Sequence, residues 1–241
     1  MMPRLAKWRK QIKFFAPSAK WLAIIFAAGC VNSGGWLILG RFLSHVTGFA
    51  SLIGIELAKH RFVEALAVAS VPVYFLAGCM IAAFLTDRRM QKGLNPMYAT
   101  PLFTASGLLG IGAFLGTRGY FGNIDAVSKT ENDYLLLVLL SLACGLMNAV
   151  VTVATGTVMR ATHMTGITTD LGIGLVRVHY LEDETGERYL EERSNLMRLA
   201  TLIFFILGSV TGCYLFLGAG YLGFWLPCAI TFLVALLTLR G

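Results

Sequence analysis

Six nearly uncharged apolar blocks dominate the chain, at about residues 20–40, 65–86, 97–116, 134–156, 198–217 and 219–239. A helix needs about 20 such residues to cross a hydrocarbon layer about 30 Å thick. Within that layer every backbone amide must be paired inside its own helix or in a closed barrel, so blocks of this length dictate helices. Composition agrees. Of 241 residues, 56% are hydrophobic and 14% charged, with a mean hydropathy of +0.70, against about 25% charged in soluble domains. A soluble enzyme is excluded, and so is a disordered chain, which would be poor in apolar residues. The expected fold is all-α, a polytopic helical membrane bundle.

The net charge of +7 does not point to nucleic acid, because of where it lies. Arg4, Lys7, Arg9, Lys10, Lys13 and Lys20 crowd the first 20 positions, interleaved with Trp8, Phe14, Phe15 and Trp21. That pattern reads as a cytoplasmic, interfacial arm over residues 1–19 that attracts anionic lipid. Ala27-Ala28-Gly29-Cys30 resembles a lipoprotein cleavage site, but it has a second copy deep in the chain and is expected to be retained. Cys30, Cys79, Cys144, Cys213 and Cys228 all sit in apolar blocks without a Cys-x-x-Cys pair, so no disulfide framework, metal site or cofactor is expected.

Two further segments, about 42–58 and 158–177, are apolar but interrupted by polar residues. They expose an internal repeat. Gly29-x-x-Asn32 matches Gly145-x-x-Asn148 and Gly40 matches Gly156, both at an offset of 116. After a two-residue insertion, His45-Val46-Thr47-Gly48 matches His163-Met164-Thr165-Gly166 at 118, as Gly54-Ile55-x-Leu57 matches Gly172-Ile173-x-Leu175. Gly78-Cys79 matches Gly212-Cys213 more weakly, at 134. The chain divides into membrane repeat 1 (20–117), a connecting loop (118–133) and membrane repeat 2 (134–239). The second repeat carries a polar stretch at 179–198, read as a solvated connector with a short helix supported by Glu184 and Arg188.

If the interrupted segments cross fully there are eight spans and parallel halves; if they are re-entrant there are six, and the halves are inverted. Counts of Lys and Arg do not separate the two. The basic connector Asp87–Lys92 and the acidic-leaning loop with Asp125, Glu131 and Asp133 favour six, with two broken or re-entrant segments.

Inverted repeats with broken helices place substrate sites near the midplane of secondary transporters. The breaks are expected at Thr47-Gly48 and Thr165-Gly166, where glycine tolerates unwound backbone and threonine satisfies freed groups. His45 and His163 stand two residues before them, and Asn32 and Asn148 are the polar residues of the repeated Gly-x-x-Asn element. Glu56 and Asp170 are acidic groups within membrane segments, which often mark ion paths. The glycines of Gly112-x-x-x-Gly116 and Gly208-x-x-x-Gly212 read as helix-packing positions. No nucleophile elbow, His-Glu-x-x-His pair or phosphate-binding loop occurs.

The duplicated Gly-x-x-Asn and His-x-Thr-Gly elements resemble the YoaK-like family of bacterial integral membrane proteins of unknown function, over about residues 20–239. That family commonly has Asp-Ala where Asn32-Ser33 stands, and Asn where Phe49 and Ile167 follow the Thr-Gly pairs. The resemblance implies a multi-pass protein of the bacterial inner membrane and supplies no substrate. The functional expectation is a small-solute or ion transporter without enzymatic activity. Its site would use Asn32, His45, Thr47, Gly48, Asn148, His163, Thr165, Gly166, Asp170 and Glu56. A homo-oligomer is compatible with this. The alternative is a non-transporting scaffold whose 179–198 stretch recruits a partner.

Overall fold

A computed structural model of the chain describes residues 19–122, 132–181 and 186–239. The basic arm up to position 18, Asp125, Glu131 and Glu184 lie outside the described residues. Among the described residues there is no strand. The helices are α1 (Ala19–Leu39), α2 (Val46–Ala58), α3 (Phe62–Leu85), the short α4 (Asp87–Gln91), α5 (Ala99–Thr117), α6 (Asn132–Ala154), α7 (Met164–Arg177), α8 (Glu187–Ala219) and α9 (Trp225–Leu239). A 3₁₀ turn, Gly220–Phe224, joins the last two.

Five helical stretches are long and apolar enough to cross a membrane, ending with Glu187–Leu239. That last stretch has 53 residues, about 80 Å as one rod, but it is not one rod. Gly220, at φ 60 and ψ −135, breaks it. Its limbs then pack differently: α8 lies along α1, whereas α9 lies along α5 and α1. The polar stretch expected as a separate short helix is, from Glu187 onward, the opening turns of α8. There Arg188 pairs with Glu192 at 3.2 Å.

The centre of the bundle is built from α1 and α6. Ile24, Ile25, Ala28 and Val31 of the first, and Leu136, Leu140, Met147 and Val150 of the second, are buried in one core with Leu102, Leu109 and Ala113 of α5. α3 and α8 stand outside that centre. They expose Val63, Leu66, Leu76 and Met80, and Ile206, Val210 and Leu217, an apolar surface far larger than a water-soluble chain carries.

Two backbone-to-backbone crossings fix these helices. A Cβ on Gly29 of α1 would strike the carbonyl of Phe205 in α8, and one on Gly208 would strike that of Phe26. Likewise a Cβ on Gly78 of α3 would strike the carbonyl of Leu142, and one on Gly145 of α6 that of Phe75. Small residues at such crossings are how membrane helices approach closely. Each crossing carries a hydrogen bond: Ser209 Oγ donates to Gly29 O at 3.3 Å, and Cys79 Sγ to Gly145 O at 3.4 Å. Gly78-Cys79 thus stands where Gly208-Ser209 does, at an offset of 130. Gly212 meets α1 one turn further along, where a Cβ would strike Ser33 Oγ and the backbone of Cys30.

Candidate functional site

α2 and α7 have 13 and 14 residues, about 20 Å each, too short to span a bilayer. Each follows a non-helical stretch at the end of a long helix. α1 ends at Gly40 (φ 64); α6 ends at Gly156 (φ 59) and Thr157 (φ 69). These left-handed residues turn the chain back, so the next helix starts beside the one just left. Gly156 N–H bonds Val153 O at 3.3 Å and Thr157 N–H bonds Thr152 O at 2.8 Å, closing α6 as a Schellman cap.

The break therefore precedes the Thr-Gly pairs rather than falling on them, which corrects the expectation from sequence. His45 and His163 are the N-cap residues, and Thr47-Gly48 and Thr165-Gly166 lie in the first helical turn. The glycines serve another purpose. A Cβ on Gly48 would meet His45 Nδ1 at 2.7 Å, and one on Gly166 would meet His163 Cε1 at 2.7 Å. Each imidazole folds over the first turn of its own helix, in space that only glycine leaves. Neither helix has a side-chain cap. The first intrahelical bonds are Phe49 N–H to His45 O and Ile167 N–H to His163 O, so the preceding N–H groups of each first turn have no intrahelical partner.

Both N-termini open on one cavity of about 610 Å³. Asn32, His45, Thr47, Asn148, His163 and Thr165, six of the ten residues singled out from sequence, line it. Each asparagine secures the start of its half-helix. Ser44 Oγ donates to Asn32 Oδ1 at 3.1 Å, and Thr162 N–H donates to Asn148 Oδ1 at 3.2 Å. Gly48 and Gly166 support the histidines from outside the lining. Glu56 does not reach the cavity: its carboxylate pairs with Arg61 at 2.6 Å, at the far end of α2. Asp170 is half-buried on α7, also outside the lining.

Sequence reasoning missed the two residues that distinguish the walls. Arg160 NH1 lies 2.6 Å from His163 Nδ1. An arginine is always a donor, so Nδ1 accepts, and the proton of a neutral ring sits on Nε2. On the other wall Phe42 meets His45 edge-on, at 6.3 Å and 78°, and stacks on Trp36 at 4.5 Å and 16°. Arg160 was legible as a charge within an apolar segment, three residues before a histidine. Phe42 carried no such signal. Among the described residues no group of three or more His, Cys, Asp or Glu could hold a metal ion.

A family model described as "Protein of unknown function (DUF1275)" matches residues 21–237. No curated protein and no solved structure matches the chain.

Proposed function

We propose that this chain, which belongs to the DUF1275 family, carries a small solute or ion across a membrane through the cavity between α2 and α7. One observation carries the reading: two half-helices, each N-capped by a histidine and anchored by an asparagine, open on the same cavity. This is the plan of secondary-transporter sites, where half-helix ends present unpaired backbone groups to substrate.

The contacts support six crossings and inverted halves. Tyr221 OH, just past α8, donates to Gly122 O, just past α5, at 2.8 Å. With six crossings both positions lie on one side of the membrane; with eight, a bilayer separates them. The packing of α1 on α8 and of α6 on α3 supports a duplicated plan, since each pair becomes the other when matching helices are exchanged. The narrower likeness to the YoaK-like family rests on the same duplicated motifs. In this reading the protein sits in the bacterial inner membrane with its N-terminus cytoplasmic, its basic arm contacts anionic lipid, and it performs no enzymatic step.

The test is uptake of a radiolabelled solute panel into proteoliposomes holding the full chain. The expected result is a solute carried by the wild type and lost when both His45 and His163 become alanine. Wild-type flux left intact by that double substitution overturns the site.

A further inference from the structure

We infer that the cavity takes a small organic anion, with its acidic group at Arg160 and its apolar body against Phe42. This rests on the cavity being the substrate site, but it commits to a charge and shape that the transport reading leaves open.

Among the described lining residues Arg160 is the one permanently charged side chain, and no aspartate or glutamate joins it. Glu56 is engaged with Arg61 and Asp170 lies outside the lining. A guanidinium within an apolar membrane segment is costly unless an anion or water meets it. NH1 is held by His163, which leaves the rest of its planar fork for an acid group. The same bond turns Nε2 of a neutral His163 into a donor. Thr47, Thr165 and the unpaired first-turn N–H groups of α2 and α7 add further donors, at the ends of the helices where the dipole favours negative charge. Asn32 and Asn148 have each committed Oδ1 inward. The polar side of the cavity is therefore rich in donors and short of acceptors.

The opposite wall is aromatic. Phe42 occupies the position that Arg160 holds in the second repeat, three residues before the histidine, and Phe75 and Phe205 also line the cavity. An inorganic oxyanion has no apolar surface to set against those three rings. A volume of about 610 Å³ is in the range that binds organic ligands rather than bare ions.

The experiment is equilibrium binding to the full chain in nanodiscs, with three permanently charged or inorganic probes: benzenesulfonate, benzyltrimethylammonium and sulfate. Benzenesulfonate is expected to bind best, and R160Q to weaken it at least tenfold. Phe42→Leu should weaken benzenesulfonate several-fold while leaving sulfate unchanged, which keeps the test intact if R160Q fails to elute as a folded species. A preference for benzyltrimethylammonium, or benzenesulfonate binding indifferent to R160Q, overturns the anion. Equal binding of sulfate and benzenesulfonate overturns the apolar half. Binding of none of the three overturns the inference. A cation carried through the cavity and lost in the double histidine variant would sink this inference and leave transport standing.

Discussion

Thr162 donates its backbone N–H to Oδ1 of Asn148 at 3.2 Å, tying the entry of α7 to a residue of α6 that stands 14 positions earlier in the chain. Thr162 is buried, so this bond decides whether the stretch before α7 keeps its course. Asn148→Ala removes the acceptor and strands the N–H, at about 1–3 kcal/mol. Asn32→Ala should cost less, because Ser44 is only half-buried and its hydroxyl can turn to water. Thermal midpoints in detergent compare the two, and equal losses would refute the distinction.

Gly48→Ala and Gly166→Ala should each push the histidine ring from the first helical turn. Solute binding is expected to fall about tenfold, or about 1.4 kcal/mol, with the fold retained. Combining Gly48→Ala with His45→Ala removes the clash. Alanine should then stabilise α2 by up to about 1 kcal/mol over glycine, giving a midpoint above that of His45→Ala alone.

At the crossing of α3 and α6, Gly145→Ala forces two backbones apart. A loss of about 2–4 kcal/mol is expected. Gly172→Ala is the control, since a Cβ there meets nothing within 4 Å, and it should be neutral or stabilising. If both variants unfold at the same denaturant concentration, the crossing is not the constraint described.

Glu191 accepts from Arg198 at 2.7 Å and from Arg177 at 3.3 Å, joining α7 to α8. Glu191 and Arg198 side chains are each 13% exposed. Glu191→Ala leaves a guanidinium without its carboxylate, at about 3 kcal/mol. Glu192→Ala removes only an exposed pair with Arg188, worth less than about 1 kcal/mol. Equilibrium unfolding should separate them clearly.

Topology is read by labelling single cysteines in a chain freed of native ones. His60→Cys and Arg118→Cys should react from one side of the membrane, and Lys92→Cys and Tyr180→Cys from the other. Reaction of positions 60 and 180 from the same side, opposite to position 92, would restore eight crossings.

The long helices were legible because apolar length alone decides them in a bilayer. The half-helices were legible too, but not where they begin. Thr-Gly reads as a break on propensity, whereas Gly48 and Gly166 are shaped by a ring three residues back, a contact that no local pattern encodes. Gly208 and Gly212 lie on one helix face a turn apart, and both meet the backbone of α1, Gly208 at Phe26 and Gly212 at Cys30. Arg160 escaped because the repeat itself hid it: its counterpart is Phe42, so it appears in one copy and looks incidental. Glu56 misled because an acid within an apolar run is informative only once its neighbour Arg61 is placed.

The bond from Ser209 to Gly29 closes across 180 residues. At about 5–20 residues per second, roughly 10–40 s pass between the two positions leaving the ribosome. Throughout that time α1 lies in the bilayer with its crossing glycine unoccupied. Nascent chains of this protein must therefore be shielded, by the insertion machinery or by lipid, from pairing with another copy's α8. Fragments divided in the loop after Gly122 should assemble when made together and be degraded when made singly.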